Sequence, residues 1–183
     1  ATGFDMLAAK LYRPRMLRHL KNDAMYKVGR ALRDGDGKTV RSARERNAIR
    51  KKTSYGKAVD FAQWVGTEFR TQTELYAAGA DVPKPIRQHG SAILMAYIGN
   101  AYGPAPTLSE VRLDVDEAPL LFQRVMDNVA LMLDLHLIHG DLSAYNILYW
   151  HGHITLIDFP QMVLARLNPN AYDILHRDIT RVC

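Results

Sequence analysis

Oxygen-bearing side chains, spaced at fixed intervals beside two short apolar segments, constrain this chain more than any other feature. Asp141 stands at the head of a loop, Asn146 follows five residues later, and Asp158 comes directly after the apolar Leu156-Ile157. Transfer of a γ-phosphoryl group needs a carboxylate that orients and deprotonates the acceptor, and two oxygen donors that hold magnesium. The spacing predicts Asp141 as the acceptor-orienting base and Asn146 as a magnesium ligand. It predicts Asp158 as the main magnesium ligand and a second catalytic residue.

Two charged residues interrupt apolar segments elsewhere in the chain. Lys10 lies in the apolar run 6–12, which we predict to be a strand, and Glu68 lies in the apolar stripe of a helix predicted over about 57–78. A buried charge is costly without a partner. In kinase-like folds a strand lysine contacts the α and β phosphates and is held by a helix glutamate. We therefore predict a Lys10–Glu68 pair at an ATP site; the alternative is an exposed Lys10 and a Glu68 that pairs with Arg70.

The remaining pattern predicts a mixed α+β fold in two lobes. The predicted elements are a buried strand at 91–98, a connector at 98–107, an amphipathic helix at about 119–136, strands at 146–150 and 154–157, and a final helix that begins near residue 170. We expect a bilobal, protein-kinase-like arrangement. Its N-lobe, residues 1–98, is small and β-rich with one key helix, and its C-lobe, residues 99–183, is larger and mostly helical.

The charge is distributed unevenly. Residues 10–57 hold 16 of the 24 lysines and arginines but only 4 of the 19 acidic residues, so this stretch carries +12 within a chain of net charge +5. One interpretation is a solvated, flexible insertion at about 13–57. The other is a basic surface for a phosphate-rich partner such as RNA, because lysine and arginine neutralise backbone phosphates without sequence-specific contacts.

Composition limits the class of protein. Hydrophobic residues make up 48% of the chain, yet no apolar run approaches the roughly 20 residues that cross a bilayer. We therefore expect a cytoplasmic protein without a membrane partner. The single cysteine, Cys183, excludes an internal disulfide and a cysteine-rich zinc site.

The segments His139–Leu148 (HGDLSAYNIL) and Ile157–Gln161 (IDFPQ) resemble the catalytic and metal-binding loops of the RIO family of atypical serine/threonine protein kinases. The basic segment at 13–57 is also similar to the flexible loop of that family, and the resemblance covers nearly all of the chain. It implies use of ATP with Mg²⁺ or Mn²⁺ and an aspartyl-phosphate on Asp158. Features of two subfamilies are mixed, so the subfamily stays open.

The same resemblance implies the adenine contacts and the partners. The hinge of the family corresponds to Met95-Ala96-Tyr97-Ile98, so Met95, Tyr97 and Ile98 are expected to bind ATP, chiefly through backbone groups. The implied partners are a protein acceptor and, through the basic segment, ribosomal RNA or a pre-ribosomal particle. Protein phosphorylation and ATP hydrolysis both remain open as the output.

Two alternative functions remain. Small-molecule phosphotransferases of the aminoglycoside or choline kinase type also use a His-Gly-Asp loop with an asparagine five residues on, but Pro160-Gln161 after Asp158 counts against them. A pseudokinase-like scaffold that binds RNA or protein is favoured by the lack of a glycine-rich, phosphate-covering segment before Lys10. The triplet His176-Arg177-Asp178 matches the catalytic motif of ordinary protein kinases, but its position predicts a helix segment.

Overall fold

The computed structural model describes residues 6–13, 47, 51 and 53–183. Most of the basic segment at 13–57 lies outside these residues, and so do the predictions made for it. Within the described part of the chain, no helix is long and apolar enough to cross a membrane.

A three-stranded antiparallel sheet forms the first part of the fold. Its strands are β1 (Leu7–Leu11), β2 (Pro85–His89) and β3 (Ala92–Ala96), in the order β1-β3-β2. Side chains alternate across β1, because successive residues of a strand point to opposite faces. Lys10 pairs in register with the buried Ile93 and lies on the less exposed face of β1. The predicted strand 6–12 is therefore confirmed, and its lysine points toward the interior of the molecule.

One long helix, α1 (Ser54–Ala77), packs against this sheet. It ends where the N–H of Gly79 donates to the carbonyl of Tyr76 and the N–H of Ala80 donates to the carbonyl of Leu75. This pair of hydrogen bonds requires a residue in the left-handed backbone conformation, and Gly79 has φ +89°. Trp64 and Val65 face the sheet with Tyr12 and Ile93, and Glu68 is buried on the same helix.

The second part of the fold is built from two helices and several short strand pairs. Its elements are β4 (Gly99–Asn100), β5 (Gly103–Pro104), α2 (Ala118–Asp134), β6 (Leu137–Ile138), β7 (Ile147–Trp150), β8 (His153–Leu156), β9 (Val163–Leu164) and α3 (Ala171–Thr180). The strands pair antiparallel as β4-β5, β6-β9 and β7-β8. Short 3₁₀ segments lie at Leu108–Glu110 and Ala144–Asn146. The largest hydrophobic cluster joins α2 to β7 and β8.

Asp81 connects the two parts. Its carboxylate accepts hydrogen bonds from Arg124 Nε at 2.6 Å and from Asn128 Nδ2 at 2.7 Å, both on α2. Its carbonyl oxygen accepts from the N–H of Leu156 at 2.7 Å. Asp81 therefore fixes the segment that follows α1 to both α2 and β8. These contacts set the position of the sheet relative to the loop that follows β8.

The mixed α+β fold predicted from the sequence is confirmed. The predicted connector at 98–107 contains the β4-β5 hairpin, and the β6-β9 pair was not predicted. Both pairs have strands of two residues, which are too short to show an alternating pattern. The division into lobes at residue 98 stays a prediction.

Candidate active site

The loop before β7 and the loop after β8 lie side by side. The Nδ2 atom of Asn146 donates to the carbonyl oxygen of Asp141 at 2.8 Å and lies 3.4 Å from Asp141 Oδ2. The N–H of Ile157 donates to the carbonyl of Asn146, which places Asp158 next to it. Asn146 and Asp158 line the same cavity. The structure therefore brings together the three residues that the motif selected.

Gly140 makes this close approach feasible. It has φ +83°, and a Cβ at this position would clash with the carbonyl group of Gln161. A residue with a side chain would therefore push the Asp141 loop away from the Asp158 loop. Asp158 itself has φ +71°, an uncommon conformation for a residue other than glycine. Backbone strain of this kind persists only where the surrounding structure enforces it, and it clusters at functional sites.

Lys10 reaches both acidic residues of the cavity. Its Nζ lies 2.7 Å from Glu68 Oε1 and also contacts Asp158 Oδ1. Glu68 is 2% exposed, so Lys10 supplies the counter-charge that burial requires. Burial acts to lower the pKa of Lys10, but the charges of Glu68 and Asp158 outweigh it and raise that pKa above its ordinary value. The predicted Lys10–Glu68 pairing is thus present in the structure, and Lys10 stays charged.

The cavity beside these residues has a volume of about 420 Å³, which suits a small cofactor or nucleotide. The predicted hinge residues Met95, Tyr97 and Ile98 all line it. The N–H of Tyr97 is engaged by the carbonyl of Met6, whereas the N–H of Ile98 has no acceptor among the described residues. Ile98 is therefore the hinge residue whose backbone donor is available to an adenine ring.

Asp178 and Arg177, which the sequence did not single out as functional, hold the Asp141 loop by its backbone at Gly140. Asp178, 2% exposed, accepts a hydrogen bond from the N–H of Gly140 at 2.6 Å, and Arg177 donates to the carbonyl oxygen of Gly140. Both lie in α3, so the helix predicted for the triplet 176–178 is present. For Asp178 alone the sequence holds a signal, because an acidic residue four positions after Ile174 falls on the apolar face of the helix and needs a partner there.

His139 fixes the loop from inside. Its Nε2 lies 3.1 Å from the carbonyl oxygen of Ile157, and its Nδ1 accepts from the N–H of Asp141 at 3.3 Å. These partners assign the proton to Nε2 of a neutral ring. Burial lowers the pKa of His139 below its ordinary value. The imidazole therefore bridges the two loops without carrying charge.

This buried histidine predicts a pH dependence of stability. His139 binds a proton in the unfolded chain below pH about 6.5, whereas the folded chain resists it, so the free energy of unfolding falls as the pH drops through that value. The contribution is at most about 1.4 kcal/mol per pH unit. Urea denaturation at pH 7.5 and 5.5 measures it. The His139→Gln variant should lose this part of the pH dependence. His153→Gln is the control, because His153 is exposed, and it should keep the pH dependence. Equal pH dependence in both variants would contradict the assignment of this effect to His139.

The oxygen donors fit a magnesium ion. Asp158 already binds a cationic group, the ammonium of Lys10, and the Oδ1 atom of Asn146 accepts no hydrogen bond from a described residue. No group of three or more His, Cys, Asp or Glu residues is arranged to hold a metal in the part of the chain that the structure describes. Magnesium is commonly bound by one or two protein oxygens together with phosphate oxygens and water. Asp158 and Asn146 are sufficient for such a site.

Comparison with known proteins agrees with this geometry. The family model of the RIO domain matches residues 21–183. The chain is 35% identical over 121 residues to the serine/threonine-protein kinase rio1 of Schizosaccharomyces pombe, a match that covers 65% of this chain and 24% of that protein. It is 36% identical over 119 residues to the RIO-type serine/threonine-protein kinase Rio1 of Thermoplasma acidophilum, with 65% of this chain and 61% of that protein covered. The chain thus spans less than two thirds of either relative.

A solved structure gives the same result for the fold. The Rio2 kinase of Chaetomium thermophilum, in a complex described as ADP/Mg²⁺-phosphoaspartate, aligns with a TM-score of 0.55 and 29% sequence identity. The alignment covers 64% of this chain and 36% of that chain. The kinase-like fold, the paired loops and a family match over most of the sequence agree: the chain belongs to the RIO family.

Proposed function

We propose that this chain carries the ATP-binding and phosphoryl-transfer centre of a RIO-type serine/threonine protein kinase that uses Mg²⁺ or Mn²⁺. One observation carries the proposal: Lys10 from the sheet meets Glu68 from α1 and Asp158 from the opposite loop at one end of a cavity of about 420 Å³. Three distant parts of the sequence supply the charges that a nucleotide phosphate and its metal require.

Each residue then has a separate role. Lys10, held by Glu68, would bind the α and β phosphates, while Ile98 would donate to the adenine ring. Asp158 and Asn146 would hold the divalent cation. When bound, that cation would neutralise the charge on the phosphate oxygens. Asp141, on the far side of Asn146, would orient the acceptor hydroxyl and take its proton.

Labelled ATP tests this proposal. We expect transfer of the γ-phosphoryl group to serine or threonine of a general protein acceptor in the presence of Mg²⁺, together with release of phosphate where no acceptor is added. Transfer that appears only with an aminoglycoside or an amino alcohol would replace this proposal with the small-molecule phosphotransferase. Failure of ATP and Mg²⁺ to raise the melting temperature would favour the non-catalytic scaffold.

We also propose that the basic segment at 13–57 binds RNA, because it holds most of the +12 charge of residues 10–57 in a chain of net charge +5. Non-specific binding of this kind weakens steeply with added salt, since each lysine or arginine that contacts a phosphate releases a counter-ion. Filter binding should show salt-sensitive affinity for RNA that drops when six basic residues are changed to glutamine: Arg41, Arg44, Arg46, Arg50, Lys51 and Lys52. Unchanged affinity in that variant rejects the proposal.

A further inference from the structure

Asp141 receives hydrogen bonds from three side chains, of which one is charged. Arg181 Nη1 lies 2.9 Å from Asp141 Oδ1, while Asn146 Nδ2 and Gln161 Nε2 each lie 3.4 Å from Asp141 Oδ2. The contact from Arg181 is thus the shortest of the three. Arg181 alone among these three donors is charged, so its contact is an ion pair as well as a hydrogen bond. Arg181 therefore dominates the orientation of this carboxylate.

The position of Arg181 is fixed by the same helix that holds the loop. Asp178, one turn earlier in α3, accepts from the N–H of Gly140, directly before Asp141. The N–H of Arg181 donates to the carbonyl of Arg177, which closes the last turn of α3. Residues three apart share one face of a helix, so Asp178 and Arg181 approach the loop together. The helix therefore holds the backbone of the loop at one point and the side chain of Asp141 at the next.

We propose that Arg181 is a positioning residue that holds the carboxylate of Asp141 in the orientation needed to receive the acceptor hydroxyl. This rests on the proposed function, because it assumes that Asp141 is the acceptor-side base. Asp141 is partly exposed, at 34%, and without Arg181 its carboxylate would keep only the two side-chain contacts of 3.4 Å. Arg181 holds only Oδ1. Oδ2 has the two longer contacts and is therefore the oxygen that can accept a hydrogen bond from an incoming hydroxyl.

The ion pair is exposed enough to separate this role from folding. The Arg181 side chain is 46% exposed, and ion pairs at such positions contribute little to stability. Loss of Arg181 should therefore leave the fold intact and misplace the carboxylate. Misplacement of a reacting group by about 1 Å lowers turnover by up to about 100-fold.

Variants of Arg181 test the proposal. We expect Arg181→Gln to lower kcat by about 10- to 100-fold with the Kd of Mg-ATP and the melting temperature unchanged. Arg181→Lys, which keeps the charge but loses the planar guanidinium, should fall between Arg181→Gln and the unaltered chain. Arg87→Gln is the matched control: Arg87 is an exposed residue of β2, and its loss changes the net charge equally.

Chemical rescue distinguishes positioning from a structural role. Ethylguanidinium in solution should restore part of the turnover of Arg181→Ala, because the cation can occupy the vacated place beside Asp141, and it should not change the turnover of Arg87→Ala. If the unaltered chain transfers phosphate and Arg181→Gln does so equally well, the positioning role is wrong while the proposed function stands. If the unaltered chain shows no turnover, the proposed function itself fails. A kcat loss without rescue, accompanied by a lower melting temperature, contradicts positioning.

Discussion

The Asp158→Asn variant should lose the stabilisation that ATP gives in the presence of Mg²⁺, and its turnover should fall by about 1,000-fold. The substitution keeps the shape of the side chain but removes the negative charge that contacts Lys10. Electrostatic stabilisation by a bound metal is worth several kcal/mol, and a loss of about 4 kcal/mol corresponds to about 1,000-fold in rate. Thermal denaturation with ATP, with and without Mg²⁺, measures the first effect, and labelled ATP measures the second.

The same substitution frees Lys10 from one of its two carboxylates, so nucleotide affinity without metal should change little. Lys10 keeps its 2.7 Å contact with Glu68 and can still bind phosphate. Asp134→Asn is the matched control, because Asp134 is an exposed residue at the end of α2. Metal-dependent stabilisation that survives in Asp158→Asn but disappears in an Asn146 variant would assign the main metal contact to Asn146 instead.

The Lys10–Glu68 pair shows how far a sequence can predict contacts between distant residues. Neither residue suits its apolar segment, and a buried charge demands a partner, so two local anomalies predict one contact across 58 positions. The three loop residues were predicted on a different ground, namely their spacing and the oxygen donors that phosphoryl transfer needs. A contact such as Lys10–Glu68 can be predicted because burial makes the alternative costly.

Arg181 and Arg177 show where the same reasoning fails. Both stand in the charged pattern of an amphipathic helix, which is typical of a solvated face, and nothing local indicates that they reach the Asp141 loop. Their contacts depend on how α3 packs, through the buried Ile174, against the pair β6-β9. That packing is set by tertiary structure and not by the sequence within the helix.

The hinge gives a third case. The resemblance selected Met95, Tyr97 and Ile98 together, and all three line the cavity. Which backbone donor is available depends on the partner of each N–H, and the partner of Tyr97 is Met6, ninety-one positions earlier in the chain. A motif identifies the segment, whereas the hydrogen bonds of the folded sheet decide which atom can bind adenine.

Asp141→Asn should separate chemistry from binding. Asparagine keeps an oxygen that can accept from Arg181 and keeps the loop in place, but it cannot take a proton from the acceptor. Loss of a general base costs about 100- to 10,000-fold in rate, so we expect a fall of that size in kcat. The Kd of Mg-ATP should stay within about twofold of the unaltered value, because the proposed function assigns Asp141 to the acceptor side and Asp158 to the nucleotide side.

Single-turnover transfer and equilibrium nucleotide binding on the same samples test this separation. The exposed Asp127 of α2 supplies the control variant Asp127→Asn, which should change neither quantity. The two substitutions should therefore have different effects. Asp158→Asn should abolish metal-dependent binding of ATP, whereas Asp141→Asn should lower phosphoryl transfer alone. A loss of Mg-ATP affinity in Asp141→Asn as large as its loss of kcat would place Asp141 among the nucleotide ligands and leave the acceptor without a base. That result would also remove the ground for assigning a positioning role to Arg181, since the two residues act through one carboxylate.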